Sequence, residues 1–269
     1  MNRLTVVKVG GNVIDDPAKL KSFLHDFASL EGLKILVHGG GKIATQLSAD
    51  LGIETEMIEG RRVTDLESLR IVTMVYAGLI NKNIVALLQG ENCNAIGLSG
   101  ADGNLIKAIK RPVRMDPSGT KVLDYGYAGD LNDESVNWRQ MGNLLDVGFI
   151  PVFSAITHDG NGQLLNTNAD TIASVIAVAM AELYSVSLVY CFEKKGVLTD
   201  LTDDESVVRE MDQQAYVRLK DDGVIYEGMI PKLDNAFQAI KSGVNEVFIG
   251  KSDEIAYINK QVFGTRLIK

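Results

Sequence analysis

Lys8 sits beside a glycine pair in Lys8-Val9-Gly10-Gly11-Asn12, where an apolar run of strand length breaks off. A second apolar run breaks the same way in Leu36-Val37-His38-Gly39-Gly40-Gly41-Lys42. Glycines at a strand-to-helix turn let backbone N–H groups approach an anion with no Cβ in the way, and the helix N-terminus adds partial positive charge. Two such turns, the first carrying a lysine, point to a site that handles several phosphate or carboxylate charges at once. Neither turn spells Gly-x-x-x-x-Gly-Lys-Ser/Thr or Gly-x-Gly-x-x-Gly, so phosphate chemistry here would use a different cradle.

The elements that must hold these turns alternate along the chain. Apolar patterning predicts strands over 4–9, 34–37 and 94–98, and helices over 17–30, 43–51 and 66–88. Pro17 suits the start of the first helix, Gly52 the end of the second, and Thr64, Asp65 and Glu67 the start of the third. The Pro- and Gly-rich stretch 104–130 breaks the rhythm and reads as hairpins inserted at the ligand end of the sheet. Beyond it, helices are expected over 134–147, 170–183, 212–219 and 232–242, with strands over 149–153, 187–191, 197–199 and 246–249. This rhythm predicts an α/β fold, a three-layer αβα sandwich on a mostly parallel central sheet. Two lobes sharing that sheet, 1–180 and 181–269, are the expected organisation.

Composition excludes several classes of partner. A net charge of −8 over 269 residues argues against a nucleic-acid backbone, which needs clustered Lys and Arg. Two cysteines are too few for a disulfide framework, and the three histidines lack ligand spacing, so no metal site built by the protein alone is expected. The N-terminus shows no signal-peptide core, and no uninterrupted apolar run reaches the ~18 residues of a membrane span. A cytoplasmic protein without a membrane partner is the expectation.

Several motifs then occur in order: Lys8-Val9-Gly10-Gly11-Asn12, His38-Gly39-Gly40-Gly41, Gly60-Arg61-Arg62-Val63-Thr64-Asp65, Asn81-Lys82 and Gly97-Leu98-Ser99-Gly100. Asn166-Thr167-Asn168-Ala169-Asp170, Lys195-Gly196-Val197-Leu198-Thr199-Asp200 and Gly228-Met229-Ile230-Pro231-Lys232 follow. Over essentially the whole chain this resembles the amino acid kinase superfamily, and within it the acetylglutamate kinase family of arginine biosynthesis. The resemblance implies the amino acid kinase fold, with hairpins over the active site. It implies ATP-dependent phosphorylation of the γ-carboxylate of N-acetyl-L-glutamate or a related N-acylglutamate, with Mg2+ held mainly through the ATP phosphates. The first lobe would bind the acylglutamate and dimerise, and the second would bind ATP.

Such a transfer brings two anions together, so the protein must neutralise charge and align the partners. By resemblance, Lys8 and Lys232 stabilise the moving phosphoryl group from two sides, and Asp170 holds both ammonium groups. A guanidinium makes a two-bond fork to a carboxylate, so Arg62 would grip the α-carboxylate of the substrate. Asn166 suits the acylamino end, and Gly40 and Gly41 would offer N–H groups to the γ-carboxylate. ATP would meet Gly10, Gly11, Glu193, Lys194, Lys195, Gly196, Val197 and Leu198. Each assignment has a plainer alternative: solvated lysines, an ion pair of Arg62 with Asp65 or Glu67, and a turn-forming Asn166. His38 is expected to be structural, because a carboxylate nucleophile is already ionised and needs no base.

The chain also departs from the family pattern. Phe192-Glu193-Lys194 stands where relatives usually show Thr-Asp-Val, Ala101 replaces a frequent lysine, and Glu227 replaces a glycine. Arg61 replaces an apolar residue and could serve an acyl group with its own carboxylate, such as succinyl, or lie on an exposed loop. Other functions stay open: a different small-acid kinase such as glutamate 5-kinase, a catalytically silent sensor, or an NAD-linked dehydrogenase. The last lacks its Gly-x-Gly-x-x-Gly turn, and a sensor would not need Lys8, Asp170 and Lys232 together. The apolar helix 66–88 is the expected surface of a homodimer. With so little chain ahead of the first strand, inhibition by arginine through an N-terminal helix is not expected.

Overall fold

Leu4, Val6, Val7 and Val9 are all buried along β1 (Arg3–Val9), because a central parallel strand is covered on both faces. In the computed structural model this strand sits in the middle of an eight-stranded sheet. The structure describes the chain apart from Thr55, Glu59, Gly60, Pro117, Leu201, Tyr226 and Gln261, and apart from the side chains of Arg61, Glu227 and Asn259. Gly60 of the arginine motif, Pro117 of the hairpin segment, the Glu227 departure and the acyl-group reading of Arg61 therefore lie outside the described residues.

Numbering only the strands of the large sheet, the others are β2 (Leu33–His38), β3 (Ala95–Leu98), β4 (Ile150–Ser154), β5 (Ser185–Phe192), β6 (Glu210–Met211), β7 (Glu246–Lys251) and β8 (Thr265–Leu267). Their order is β6-β8-β7-β5-β1-β2-β4-β3, parallel from β7 through β3, with β8 antiparallel to β7. Strands from either side of residue 180 thus join at the β1–β5 pair. A short helical turn, Gly11–Ile14, follows β1, and the longer α-helices are α1 (Pro17–Ala28), α2 (Gly41–Asp50), α3 (Leu66–Gly90), α4 (Trp138–Asp146), α5 (Ala169–Met180), α6 (Gln213–Asp221) and α7 (Ile230–Lys241). On one face α1 packs against α3 and the Ser252–Lys260 segment; on the other, α5 lies between α4 and α7. This is the expected three-layer sandwich. A smaller sheet joins Ile109–Lys110 and Ala128–Asp130 of the inserted segment to Leu164–Thr167 and Ile156–His158. The segment also forms the hairpin Arg114–Met115/Val122–Leu123, and Met57–Ile58 pairs with Arg61–Arg62 ahead of α3.

Local chemistry explains where the elements begin. Asp16 accepts from the N–H groups of Ala18 and Lys19 at the start of α1, and Pro17 follows it. The helix expected over 134–147 starts only at Trp138, because the Asn137 side chain caps it through Gln140 N. Residues 197–199 form no strand: Leu198 makes a single bridge with Val207. The sheet also continues past 246–249 into β8, which is too short to leave a pattern of its own.

Helix α3 contains a π-helical stretch, Thr73–Ile80. Its best 18-residue window has a mean hydropathy of 1.6, so by length and composition it could cross a membrane, although no uninterrupted apolar run signalled that. Val75, Tyr76, Ile80, Ile84 and Leu88 are buried in the core, while Met74 and Leu79 are exposed. A Cβ on Gly40 would collide with Ile80 and Tyr76, so the glycine turn after β2 lets α3 pack against the chain there. Lys34, expected only as part of a strand, is buried. Its ammonium donates to the carbonyls of Phe27 (3.1 Å), Ala28 (2.6 Å) and Leu30 (2.8 Å), closing the C-terminal end of α1.

Candidate active site

The parallel strands β1, β2, β5 and β7 deliver Lys8, His38, Phe192 and Lys251 to one edge of the sheet, the edge where open α/β sheets bind ligands. Two cavities open there. The larger, about 1180 Å3, lies over Gly10 and Gly11 and is walled by Phe23, Phe192, Val197, Leu198 and Met229. The smaller, about 420 Å3, contains Arg62, Asn166 and Asp170. Lys8, Gly11 and Asn12 line both, so the cavities meet at the first glycine turn.

Lys8 leaves the end of β1 with its ammonium 2.8 Å from Asp170 Oδ1. The contact is an ion pair whose angles fall outside hydrogen-bond geometry, so that oxygen keeps its capacity to accept. Asp170 is placed by its own helix: Asn168 caps α5 by accepting from Thr171 N, which sets Asp170 in the first turn, facing Lys8. Lys232 enters from the other side, just after Pro231 in the first turn of α7. Its ammonium stands 3.7 Å from the Phe192 ring centroid. Burial lowers the Lys232 pKa, the Asp170 charge opposes that shift, and the Lys8 charge adds to it. Two cations and one carboxylate thus act on one another at the junction.

The smaller cavity has a net positive wall. Lys8, Lys42, Arg62 and Arg111 line it against Asp15 and Asp170, four cations to two anions, which suits a dianionic ligand. Arg62 Nη2 donates to Thr45 Oγ1 at 2.7 Å. Asp65 instead caps α3 through Ser68 N. Asn166 Nδ2 donates to Thr64 Oγ1 at 3.0 Å. Arg111 Nε reaches both oxygens of Asp130, at 3.0 and 3.1 Å. Burial raises the Asp15 pKa. Lys42 and the Ile43 N–H oppose the shift, but neither is placed to hydrogen-bond its oxygens.

His38 has both nitrogens engaged. Nδ1 donates to Gly39 O at 2.8 Å, and Nε2 accepts from Asn81 Nδ2 at 3.0 Å, while that same amide donates to Val152 O at 2.9 Å. Burial pushes the His38 pKa down to about 4. A neutral imidazole tying β2 to α3 and β4 has no proton-transfer role left, as its structural reading requires. Burial likewise pushes the Cys191 thiol up to about 12, making it an inert part of the cavity wall.

The family model for the amino acid kinase family matches residues 3–251. The chain belongs to that family. It is 53% identical to an acetylglutamate kinase of Cytophaga hutchinsonii over 271 residues, covering 100% of this chain and 99% of the relative. It is 51% identical to an acetylglutamate kinase of Bacteroides thetaiotaomicron, covering 99% of each. Among solved structures, N-acetylglutamate synthase from Neisseria gonorrhoeae, complexed with coenzyme A and N-acetyl-glutamate, superposes with a TM-score of 0.79 at 22% identity. That match covers 100% of this chain and 59% of the synthase, and it speaks for the fold alone.

Lys8, Asp170 and Lys232 come together at the junction, and Arg62 and Asn166 share the smaller cavity. Gly10, Gly11, Glu193, Lys194, Gly196, Val197 and Leu198 line the larger one. Lys195 does not join them: its ammonium pairs with Glu205. Lys194 lies 3.4 Å from Asp204. Gly39 lines the smaller cavity, and a Cβ added to Gly40 would meet Tyr76 and Ile80. Sequence reasoning missed Asn12, whose amide pairs with Glu193 across the junction, and Thr45, Asp15 and Arg111 of the smaller cavity. Only Asn12 left a signal, standing next to the glycine pair.

Proposed function

We propose that this chain transfers the γ-phosphoryl group of ATP to the γ-carboxylate of N-acetyl-L-glutamate, forming an acyl phosphate in arginine biosynthesis. The observation that carries this reading is the meeting of a large apolar-walled cavity and a small cationic one at Lys8, Gly11 and Asn12. The names of the full-length relatives support the same substrate pair. ATP would occupy the larger cavity, with its phosphates over the Gly10–Gly11 turn. The acylglutamate would occupy the smaller one, its α-carboxylate on the Arg62 fork and its acylamino end at Asn166. The substrate carboxylate is ionised at neutral pH and attacks phosphorus without a base, and ADP leaves. Lys8 and Lys232 would carry the charge that develops on the phosphoryl oxygens, with Asp170 holding the two ammonium groups in place.

Mg2+ would be carried by the ATP phosphates and neutralise their charge. Among the described residues no group of three or more His, Cys, Asp or Glu forms a metal cluster, and in this reading the metal arrives with the nucleotide. The division of labour follows: residues 1–180 bind the acylglutamate, and residues 181–269 supply most of the nucleotide wall. We also propose a homodimer through the exposed apolar side chains of α3, Met74 and Leu79 among them, in the cytoplasm with its co-substrate. The test is an initial-rate assay with ATP and Mg2+, trapping the product with hydroxylamine and offering N-acetylglutamate, N-succinylglutamate or glutamate. Hydroxamate formed fastest from N-acetylglutamate is expected. Preference for the succinyl compound would change the acyl group, and hydroxamate from glutamate alone would move the chain elsewhere in the family. ATP hydrolysis with none of the three would end the proposal.

A further inference from the structure

Both catalytic cations of the site face one aromatic ring. Lys232 Nζ stands 3.7 Å from the Phe192 ring centroid, and Lys8 Nζ stands 5.7 Å from it. Phe192 ends β5 and lines the larger cavity. Tyr190, two residues earlier on the same face of the strand, stacks on it with centroids 6.1 Å apart, and Tyr190 Oη donates to Asp170 O at 3.3 Å. The ring is therefore buttressed from the element that also carries Asp170. An aromatic face attracts an ammonium through its quadrupole, most strongly where water is excluded.

We propose that Phe192 is a positioning residue for phosphoryl transfer, its ring face holding the Lys232 ammonium, and at longer range that of Lys8, at the junction of the two cavities. This rests on the kinase reading above and adds to it a residue that stands where the family usually has a short polar one. The physical advantage lies in the sign of the charge. A carboxylate that gathers two lysines also repels an incoming triphosphate, whereas a neutral ring gathers them without placing negative charge beside the γ-phosphate. The face covered by Lys232 is not open to a nucleotide base, so the ring serves the phosphoryl end of the cavity.

The groups acting on the Lys232 charge are Asp170 from α5, Lys8 from β1 and the ring from β5. The test replaces Phe192 with 4-fluoro-, 3,5-difluoro- and 3,4,5-trifluorophenylalanine, which keep its shape while draining the π face. Phe192→Leu keeps apolar bulk, and Phe192→Trp offers a stronger face. Lys232 is titrated by NMR on side-chain-labelled lysine, with its signal assigned from Lys232→Arg, and kcat and both KM values are measured alongside. In the parent the Lys232 ε-protons should show a ring-current upfield shift, which Phe192→Leu abolishes. The Lys232 pKa should fall stepwise with fluorination, by about one pH unit in the leucine variant, since the ring favours the charged form. The kcat should fall in the same order, about tenfold for leucine, with KM for N-acetylglutamate within about threefold, and tryptophan should restore it. If fluorination leaves the titration and kcat unmoved, or leucine lowers only the melting temperature, the ring merely fills space and the inference is wrong. A parent that forms no acyl phosphate overturns the kinase reading and this role with it. An active parent with an unmoved titration overturns this role alone.

Discussion

Replacing Lys8 by methionine removes the ammonium that both cavities share, while an unbranched chain of similar volume stays against Phe192. The lysine side chain is 12% exposed, so in the proposed transfer its charge would act with little screening by water. Loss of one such preorganised cation typically costs about 2.7–4 kcal/mol, roughly 100- to 1000-fold in kcat. A second effect adds to it. Asp170, 2.8 Å from the missing ammonium, is left with its carboxylate facing the phosphates. Asp170→Asn should therefore do less harm in the Lys8→Met background than alone, because one duty of the carboxylate has gone with its partner. Hydroxamate formation at saturating ATP and N-acetylglutamate measures kcat, and a melting curve confirms the fold. The KM for N-acetylglutamate should move by less than about threefold, since Arg62 and Asn166 remain in place. A kcat within about threefold of the parent, or single losses that simply multiply in the double variant, would take Lys8 away from the point of transfer.

Arg62→Lys should raise KM for N-acetylglutamate about tenfold or more with ATP affinity unchanged, because a point charge cannot reproduce the fork; a change confined to ATP would place Arg62 on the nucleotide side. Lys34→Met leaves three carbonyls at the end of α1 without their donor, and should lower the unfolding free energy by about 2–3 kcal/mol in urea titrations. A loss below ~0.5 kcal/mol would mean that water replaces the ammonium without penalty. His38 makes stability depend on pH. Its folded pKa of about 4 lies below the ordinary value of 6.5, so the unfolded chain takes up a proton that the folded chain refuses. Its contribution is complete above pH 6.5 and is lost as pH falls through about 4, by ~3 kcal/mol in all. Urea midpoints of the parent should fall more steeply over that window than those of His38→Asn, and parallel slopes would refute the assignment.

What the chain shows of itself depends on range. The glycine turns after β1 and β2 were legible because strand, glycine and helix start are neighbours in sequence, and the Asn168 cap that aims Asp170 is equally local. The residues of the smaller cavity were legible mainly through family motifs, since Arg62, Asn166 and Lys8 meet only after the sheet is assembled. Arg111 and Thr45 leave no periodic or capping signal, and their place in the smaller cavity is set by the inserted sheet and by α2. Strand β8 escapes notice because three residues carry no pattern, and it is held by pairing with β7 rather than by propensity. The stretch 197–199 shows the opposite case: Val197 and Leu198 line the larger cavity, so a hydrophobic run there marks a cavity wall and not a strand. The same holds for Phe192, which is apolar enough to read as the end of a core strand yet faces two lysines.

In the proposed reaction the acceptor's own carboxylate oxygen attacks phosphorus at the junction of the two cavities. N-acetylglutamate carrying 18O at both γ-carboxylate oxygens, mixed with Mg-ATP and a high concentration of the protein, tests it through the 31P resonance of the product. An acyl phosphate whose signal shifts upfield relative to the unlabelled compound is expected, because the bridging oxygen comes from the carboxylate, and Lys8→Met should suppress that signal. Inorganic phosphate released from ATP without a labelled acyl phosphate, or an acyl phosphate whose signal is not shifted, would contradict it.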